Sequence, residues 1–334
     1  MHRPHRNVLT RLSWQQIGRP LSWSILLGCT AYAAVVVAGY GPSISDASQR
    51  LGFAGWGTLL ALSLANYLLR YLRWHGYLRF LGDRVAPGLH LAYYLAGFAF
   101  TTTPGKLGEA VRSLYLRRHT VSFTHSLSAL FVERFLDVLA MALLALAVAW
   151  SLEDTRLPAI AAALVVVALL ILLRWPRLHT WLAAISQPER TNGLRAAIAR
   201  LASLLQTSAA LLAPSALYGG LMIGLIAWAA EGVGLWLILD TLGTGTPLYQ
   251  AIGIYAAAVL AGALSFIPGG LGSTEAVMVL LLSFAGVDTA DALAATLICR
   301  IVTLWFAVAI GMLVIAGLET KGIHFSRMDA DTGS

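Results

Sequence analysis

A chain of 334 residues that is 58% hydrophobic and only 12% charged carries about half the charge fraction of an ordinary soluble domain. That excludes a separate soluble catalytic domain and marks a membrane protein. The net charge of +7 fits basic loops facing anionic lipid rather than nucleic acid. The two cysteines, Cys29 and Cys299, fall in apolar runs and the eight histidines form no cluster, so no disulfide, metal or cofactor is expected.

Met1–Pro20 is a basic arm with Arg3, Arg6, Arg11 and Arg19. It sets residues 1–21 in the cytoplasm of a cell (inner) membrane protein. The run Ser22–Tyr40 supplies about 28 Å of helix, enough to span. A short outer loop with Asp46 and Arg50 follows. Trp56–Trp74 is the second span, returning to the cytoplasm at Arg70, Arg73, Arg79 and Arg84, with Trp74 and Tyr77 in the interfacial belt. Leu89–Thr103 gives only about 22 Å of helix and stops at Pro104. Glu109–Arg118 then leads back to the basic residues Arg112, Arg117 and Arg118, which predicts a re-entrant hairpin entered from the cytoplasm. Ser126–Trp150 is the third span and Pro158–Trp175 the fourth. In Arg190–Leu212, Leu194, Ile198, Leu201 and Leu205 recur at helical spacing, which suits an amphipathic helix on the inner surface or an ordinary connector. Ser215–Leu239 is the fifth span. Leu248–Phe266, a break at Pro268 and Thr274–Ala285 make a second hairpin, entered from outside. Ala292–Leu318 is the sixth span. Lys321 and Arg327 mark a cytoplasmic, polar tail over 320–334.

The expected fold is therefore all-α: a polytopic helical membrane protein with about six full spans and two re-entrant hairpins in one transmembrane domain, 22–319. Repeat one covers 56–150 and repeat two 215–318. Arginine placement orients the two units oppositely, which makes an inverted repeat.

The two breaks share a pattern. Pro104-Gly105-Lys106-Leu107-Gly108 aligns with Pro268-Gly269-Gly270-Leu271-Gly272, and Glu109 and Glu275 follow closely. Broken backbone at membrane depth is tolerated only where protein or a water-filled cavity surrounds it. Paired interruptions in two halves of a chain point to a transporter site. Charged residues inside a membrane are costly and functional. Here they are Lys106, Arg112, Arg134 and Arg300 against Glu109, Glu133, Asp137, Glu231 and Glu275. Glu109–Arg112 and Arg134–Asp137 have the spacing of helical pairs, and Glu133 and Asp137 share a face. The near balance predicts one mutually neutralising network whose arginines hold an anion, since the planar guanidinium suits phosphate. Glu231 has no charged neighbour within helical reach and is a candidate for proton coupling.

The stretches PGKLGEAVRSLYL, VERFLDVLAMALL, SFIPGGLGSTEA and LICRIVTLWFAVAIG, taken in order, resemble the membrane domain of lysylphosphatidylglycerol synthetases. The group includes stand-alone flippase-like proteins. The resemblance runs from about Ser22 to Leu318. It implies movement of a lipid headgroup across the bilayer. In two-domain synthetases a soluble aminoacyl-transferase domain follows the membrane part. This chain ends soon after its last span, so that activity is not expected here. The substrate class is an anionic phospholipid or lipid-linked molecule held by Arg134 and Arg300. Two alternatives stay open: a membrane-embedded transferase, and a non-transporting partner of a lipid-synthesising enzyme.

Overall fold

The computed structural model describes residues 14–103, 109, 111–149 and 194–323, with isolated positions between 157 and 184. Side chains are described from residue 43 onward, apart from 147, 149 and 194–196. Every element of secondary structure among the described residues is helical. Helix α1 is Trp14–Phe80, α2 Pro87–Ala96, α3 Val111–Arg117 and α4 Phe123–Ala149. They are followed by α5 Leu194–Leu211, α6 Pro214–Thr241, α7 Leu248–Leu264, α8 Ser273–Phe284, α9 Thr289–Arg300 and α10 Phe306–Thr320. A 3-10 turn, Gly97–Phe100, extends α2, another, Pro268–Gly270, precedes α8, and a π-helical stretch, Ile301–Trp305, joins α9 to α10.

Among the described residues, three helices are long and apolar enough to cross a membrane: Ser43–Phe80, Pro214–Thr241 and Thr289–Thr320. Shorter apolar helices include Leu248–Leu264 and Pro268–Phe284. Helix α4 is 27 residues long. Its Glu133, Arg134 and Asp137 set it apart from the plain apolar spans. The expected span Pro158–Trp175 lies largely outside the described residues, as do the basic arm and most of the tail.

Two expectations need correction. The predicted loop at Asp46 and Arg50 is helical, and the chain breaks only at Gly52 (φ 56°). Asp46 and Arg50 form an i,i+4 ion pair at 2.7 Å, which helps hold that turn in helix. Trp74 and Tyr77 belong to no interfacial belt: both are buried, at 0% and 4% exposure, in the core. On α5 the apolar stripe is divided, with Leu205 packed partly against the interior. Ile198 and Leu201 point outward, and the helix meets α4 through its other side. Ser128 of α4 donates to the Leu204 carbonyl there, and Ala202 and Ser208 are buried.

Two hairpins are evident from contacts. Tyr93 of α2 stacks on Tyr115 of α3, with ring centroids 5.0 Å apart. Gly97 lies against the Glu109 carbonyl and the Arg112 side chain, so the chain doubles back. In the second hairpin, α7 packs on α8, and Ser265 and Ser273 hydroxyls meet at 2.9 Å. Helix α7 has 17 residues. That gives about 25 Å of helix. The hairpins meet where Gly269, at φ 65°, lies against Thr102.

The apolar interior forms two clusters. One gathers the first part of α1 (Ala47, Leu51, Leu59), the end of α4 and most of α6 to α9. The other gathers the end of α1, the first hairpin, the start of α4, α5 and α10. Helices α1, α4 and α6 and the α9–α10 helix pass from one cluster to the other, and the charged residues fall at that seam.

The α10 helix presses Gly311 directly onto the Ala99 backbone, where a Cβ would overlap the amide nitrogen. Gly317 on the same helix faces open space. Gly311→Ala is expected to lower stability by about 1–3 kcal/mol through overpacking, while Gly317→Ala causes no loss. Thermal unfolding of the detergent-purified variants measures the difference.

Candidate functional site

The site begins with a stripe on α1. Ser63, Asn66, Arg70, Arg73 and Tyr77 follow one another at three- and four-residue steps, and all are buried. Asn66 donates to the Ala227 carbonyl of α6, while Arg70 and Arg73 reach α4, where Glu133 and Asp137 share a helix face as their spacing predicts.

Glu133 is fully buried and is the centre of the network. One of its oxygens, Oε2, accepts from Arg112 Nη2 at 2.7 Å. The other, Oε1, accepts from Arg134 Nη2 at 2.7 Å, from Tyr94 Oη at 2.8 Å and from Arg70 Nη2 at 3.3 Å. Asp137 receives Arg73 through Oδ1 at 2.5 Å and faces Arg134 through Oδ2 at 3.2 Å. Glu109 meets Arg112 at 3.4 Å and Arg134 at 3.6 Å. Both predicted helical pairs are therefore present. Four arginines share three carboxylates, which leaves one positive charge in excess. Arg112 also lies 3.9 Å over the Trp74 ring and 4.8 Å from that of Tyr94. These aromatic faces replace water around a guanidinium whose Nε and Nη1 have no hydrogen-bond partner.

The second half of the site hangs on Arg300. Its Nε donates to Glu275 Oε1 at 2.7 Å and its Nη2 to the Gly269 carbonyl at 2.8 Å. The other oxygen of Glu275 accepts the Gly272 amide at 2.7 Å, closing the N-terminus of α8. Arg300 thus ties the second hairpin tip to the last long helix. The π-helical stretch begins at the next residue. Within it the Thr303 carbonyl accepts from Tyr67 Oη at 2.6 Å, tying α1 to this helix. Insertions of this kind often mark functional sites. Glu231 sits beside these groups, with Tyr255 donating to it through a short hydrogen bond.

Arg134 and Arg300 face one cavity of about 200 Å³, bounded by Asp137 and by the tip residues Gly269, Gly270 and Thr274. Arg134 shows 23% of its side chain, the most exposed of the ion-paired arginines in this network. A second cavity of about 50 Å³ contains Arg70, Glu109, Glu231 and Tyr255, and Arg300 and Trp228 line both. The buried Thr101 hydroxyl, without a hydrogen-bond partner, lines the smaller one.

Of the residues expected from sequence, Glu109, Arg112, Glu133, Arg134 and Asp137 form the first cluster. Glu275 and Arg300 form the second, and Glu231 lines the cavity beside it. The break residues Pro268, Gly269, Gly270 and Gly272 make the second tip. Pro104, Gly105, Lys106 and Gly108 lie outside the described residues. Sequence reasoning missed Arg70 and Arg73, which it assigned to the cytoplasmic boundary. They are buried at 5% and 2% exposure and pair with Glu133 and Asp137. The helical recurrence of polar residues from Ser63 to Tyr77 was the available signal. Trp228, Tyr255 and Thr101 carry no such signal. Among the described residues no group of three or more metal-ligating side chains could hold a metal ion.

The sequence family described as the lysylphosphatidylglycerol synthase TM region matches residues 11–311. The chain belongs to that family. It is a multi-pass membrane protein. Residues of the chain are similar to UPF0104 membrane proteins. Two are from Methanothermobacter thermautotrophicus, at 31% identity over 96 residues and 34% over 90. A third, from Pyrococcus horikoshii, is 27% identical over 95 residues. These matches take in 27–29% of this chain and 27–28% of the relatives' own length. The family match includes every charged residue of the two clusters.

Glu133→Gln removes the charge on which Arg70, Arg112 and Arg134 converge. Leaving buried arginines uncompensated is expected to cost about 3–5 kcal/mol. Glu275→Gln, whose carboxylate is 14% exposed and bound to one arginine, is expected to cost clearly less. Denaturant unfolding of both variants in the same detergent provides the comparison.

Proposed function

We propose that this protein moves an anionic phospholipid or lipid-linked molecule across the membrane, with the phosphate held between Arg134 and Arg300. The observation that carries this reading is that these two guanidiniums, from separate halves of the chain, face one cavity where the two hairpins meet. Arginine binds phosphate through a planar fork, and a guanidinium in a partly desolvated cavity keeps its charge. The excess positive charge of the first cluster supports an anion. The family takes its name from synthases of an aminoacylated phosphatidylglycerol, which makes a phosphatidylglycerol-like headgroup a natural first candidate.

In this reading the two hairpins are re-entrant, entered from opposite faces, and the chain has six full spans with both termini in the cytoplasm. The units 56–150 and 215–318 form an inverted repeat. Short hairpin arms and the contact of Thr102 with Gly269 support this arrangement. Alternating access follows if one hairpin unit rocks against the other around the shared cavity, exposing Arg134 and Arg300 to each side in turn. Glu109, Glu133, Asp137 and Glu275 shape the site by fixing the arginines. Lys106 would bring a further positive charge to the first break, and Glu231 would be the group that exchanges a proton.

Arg134→Ala and Arg300→Ala, reconstituted in vesicles with a fluorescent anionic phospholipid, are expected to slow translocation at least about tenfold, the equivalent of one charge-assisted hydrogen bond. Near-wild-type rates in folded variants overturn the site. A new lipid species in the vesicle extract identifies a transferase instead. The topology has its own test. Arg84→Cys and Thr289→Cys, at the exposed mouths of the two hairpins, are expected to react with an impermeant maleimide from opposite faces of intact membranes. Labelling from the same face removes the inverted repeat.

A further inference from the structure

The larger cavity is amphipathic. Beside Arg134, Asp137 and Arg300 it is lined by Val138, Met141, Val259, Phe266, Ile267 and Leu304. A water-soluble anion of the same charge would gain little from such a wall. An acyl chain leaving a phosphate held by the two arginines would cover it.

Phe266 is the unusual member of that wall. It connects α7 to the Pro268 turn with φ 55°, in the left-handed region that a bulky side chain rarely adopts. A network of hydrogen bonds holds the turn. Ser265 Oγ donates to the Gly262 carbonyl at 2.8 Å and accepts the Ile267 amide at 3.2 Å. It also meets Ser273 Oγ at 2.9 Å. The strained residue nonetheless contributes little to packing, since it is 74% exposed. Leu264 and Ile267 beside it are also exposed. Glycine would fit this backbone without strain, and a strained residue at a cavity is a pointer to function. The conformation serves the turn, but the ring adds little to packing, and its use lies outside the chain.

We propose that Phe266 marks an acyl-chain subsite: it forms the mouth through which the lipid's first tail segment passes, while the headgroup stays with Arg134 and Arg300. This rests on the lipid reading given above, and it adds that the protein binds a tail and a headgroup through separable parts of one cavity. Phe266 is then a specificity residue that selects an acylated ligand over its free headgroup.

Two probes separate these parts: dihexanoyl phosphatidylglycerol, and glycerophosphoglycerol, the same headgroup without tails. Binding is measured calorimetrically on protein purified in a non-ionic detergent. The wild type is expected to bind the acylated probe more tightly. Phe266→Ala and Phe266→Gly are expected to weaken that probe about tenfold, the change that follows from removing one apolar ring from the tail's path. Both variants are expected to bind glycerophosphoglycerol as the wild type does. Phe266→Gly relieves the left-handed strain, so an unfolding temperature at or above wild type shows that weaker binding does not come from failed folding. Equal weakening of both probes, or weakening of neither, overturns the tail subsite. If the wild type binds both probes equally, the tail subsite falls and the headgroup site stands. If it binds neither, both fall.

Discussion

The structure turns on the burial of Glu133. A carboxylate with no exposure sits at the seam of two apolar clusters and draws Arg70, Arg112, Arg134 and Tyr94 to it. Taking such charges out of water costs several kcal/mol per ion, and their mutual attraction returns this only when the geometry is good. An apolar core of similar volume would be no less stable. The network is therefore poorly explained as reinforcement of the fold. What it holds in place is a guanidinium, Arg134, whose Nη2 meets three carboxylates while its side chain lines a cavity.

The second cluster uses the same device differently. Arg300 commits Nε and Nη2 to Glu275 and the Gly269 carbonyl, so the hairpin tip and the charge are positioned together. Movement of either hairpin would shift an ion-paired group at the cavity wall. The hairpins meet through Thr102 and Gly269, where a larger side chain at residue 269 would meet both strain and contact. Arg300 lines both cavities, which gives the larger space and the smaller, Glu231-lined space a common wall.

Where the sequence misled, it did so through one physical ambiguity. Arginine, tryptophan and tyrosine near the end of an apolar run have two stable homes in a membrane protein. They settle at the headgroup boundary, where water and phosphate meet them, or in the interior, where other side chains do. Arg70, Arg73, Trp74 and Tyr77 take the second, because α4 brings Glu133 and Asp137 to the same depth. Ile198 and Leu201 of α5 face outward, a comfortable position beside lipid, and the small residues Ala202 and Ser208 let the helix approach α4. Hydrophobicity, which separates inside from outside in water, loses that meaning where the surroundings are apolar too.

From sequence alone the class, the helical content, the break at Pro268, the pairs Arg134–Asp137 and Glu109–Arg112 and most of the charged site were legible. Each is a property of local composition or of helical spacing. Tertiary structure alone decided which charges meet. Glu133 as the centre, Arg70 and Arg73 as its partners, the contact of Thr102 with Gly269 and the Tyr67–Thr303 hydrogen bond all join residues far apart in the chain. Pairing across such distances is set by the packing of whole helices, and no window of sequence contains it.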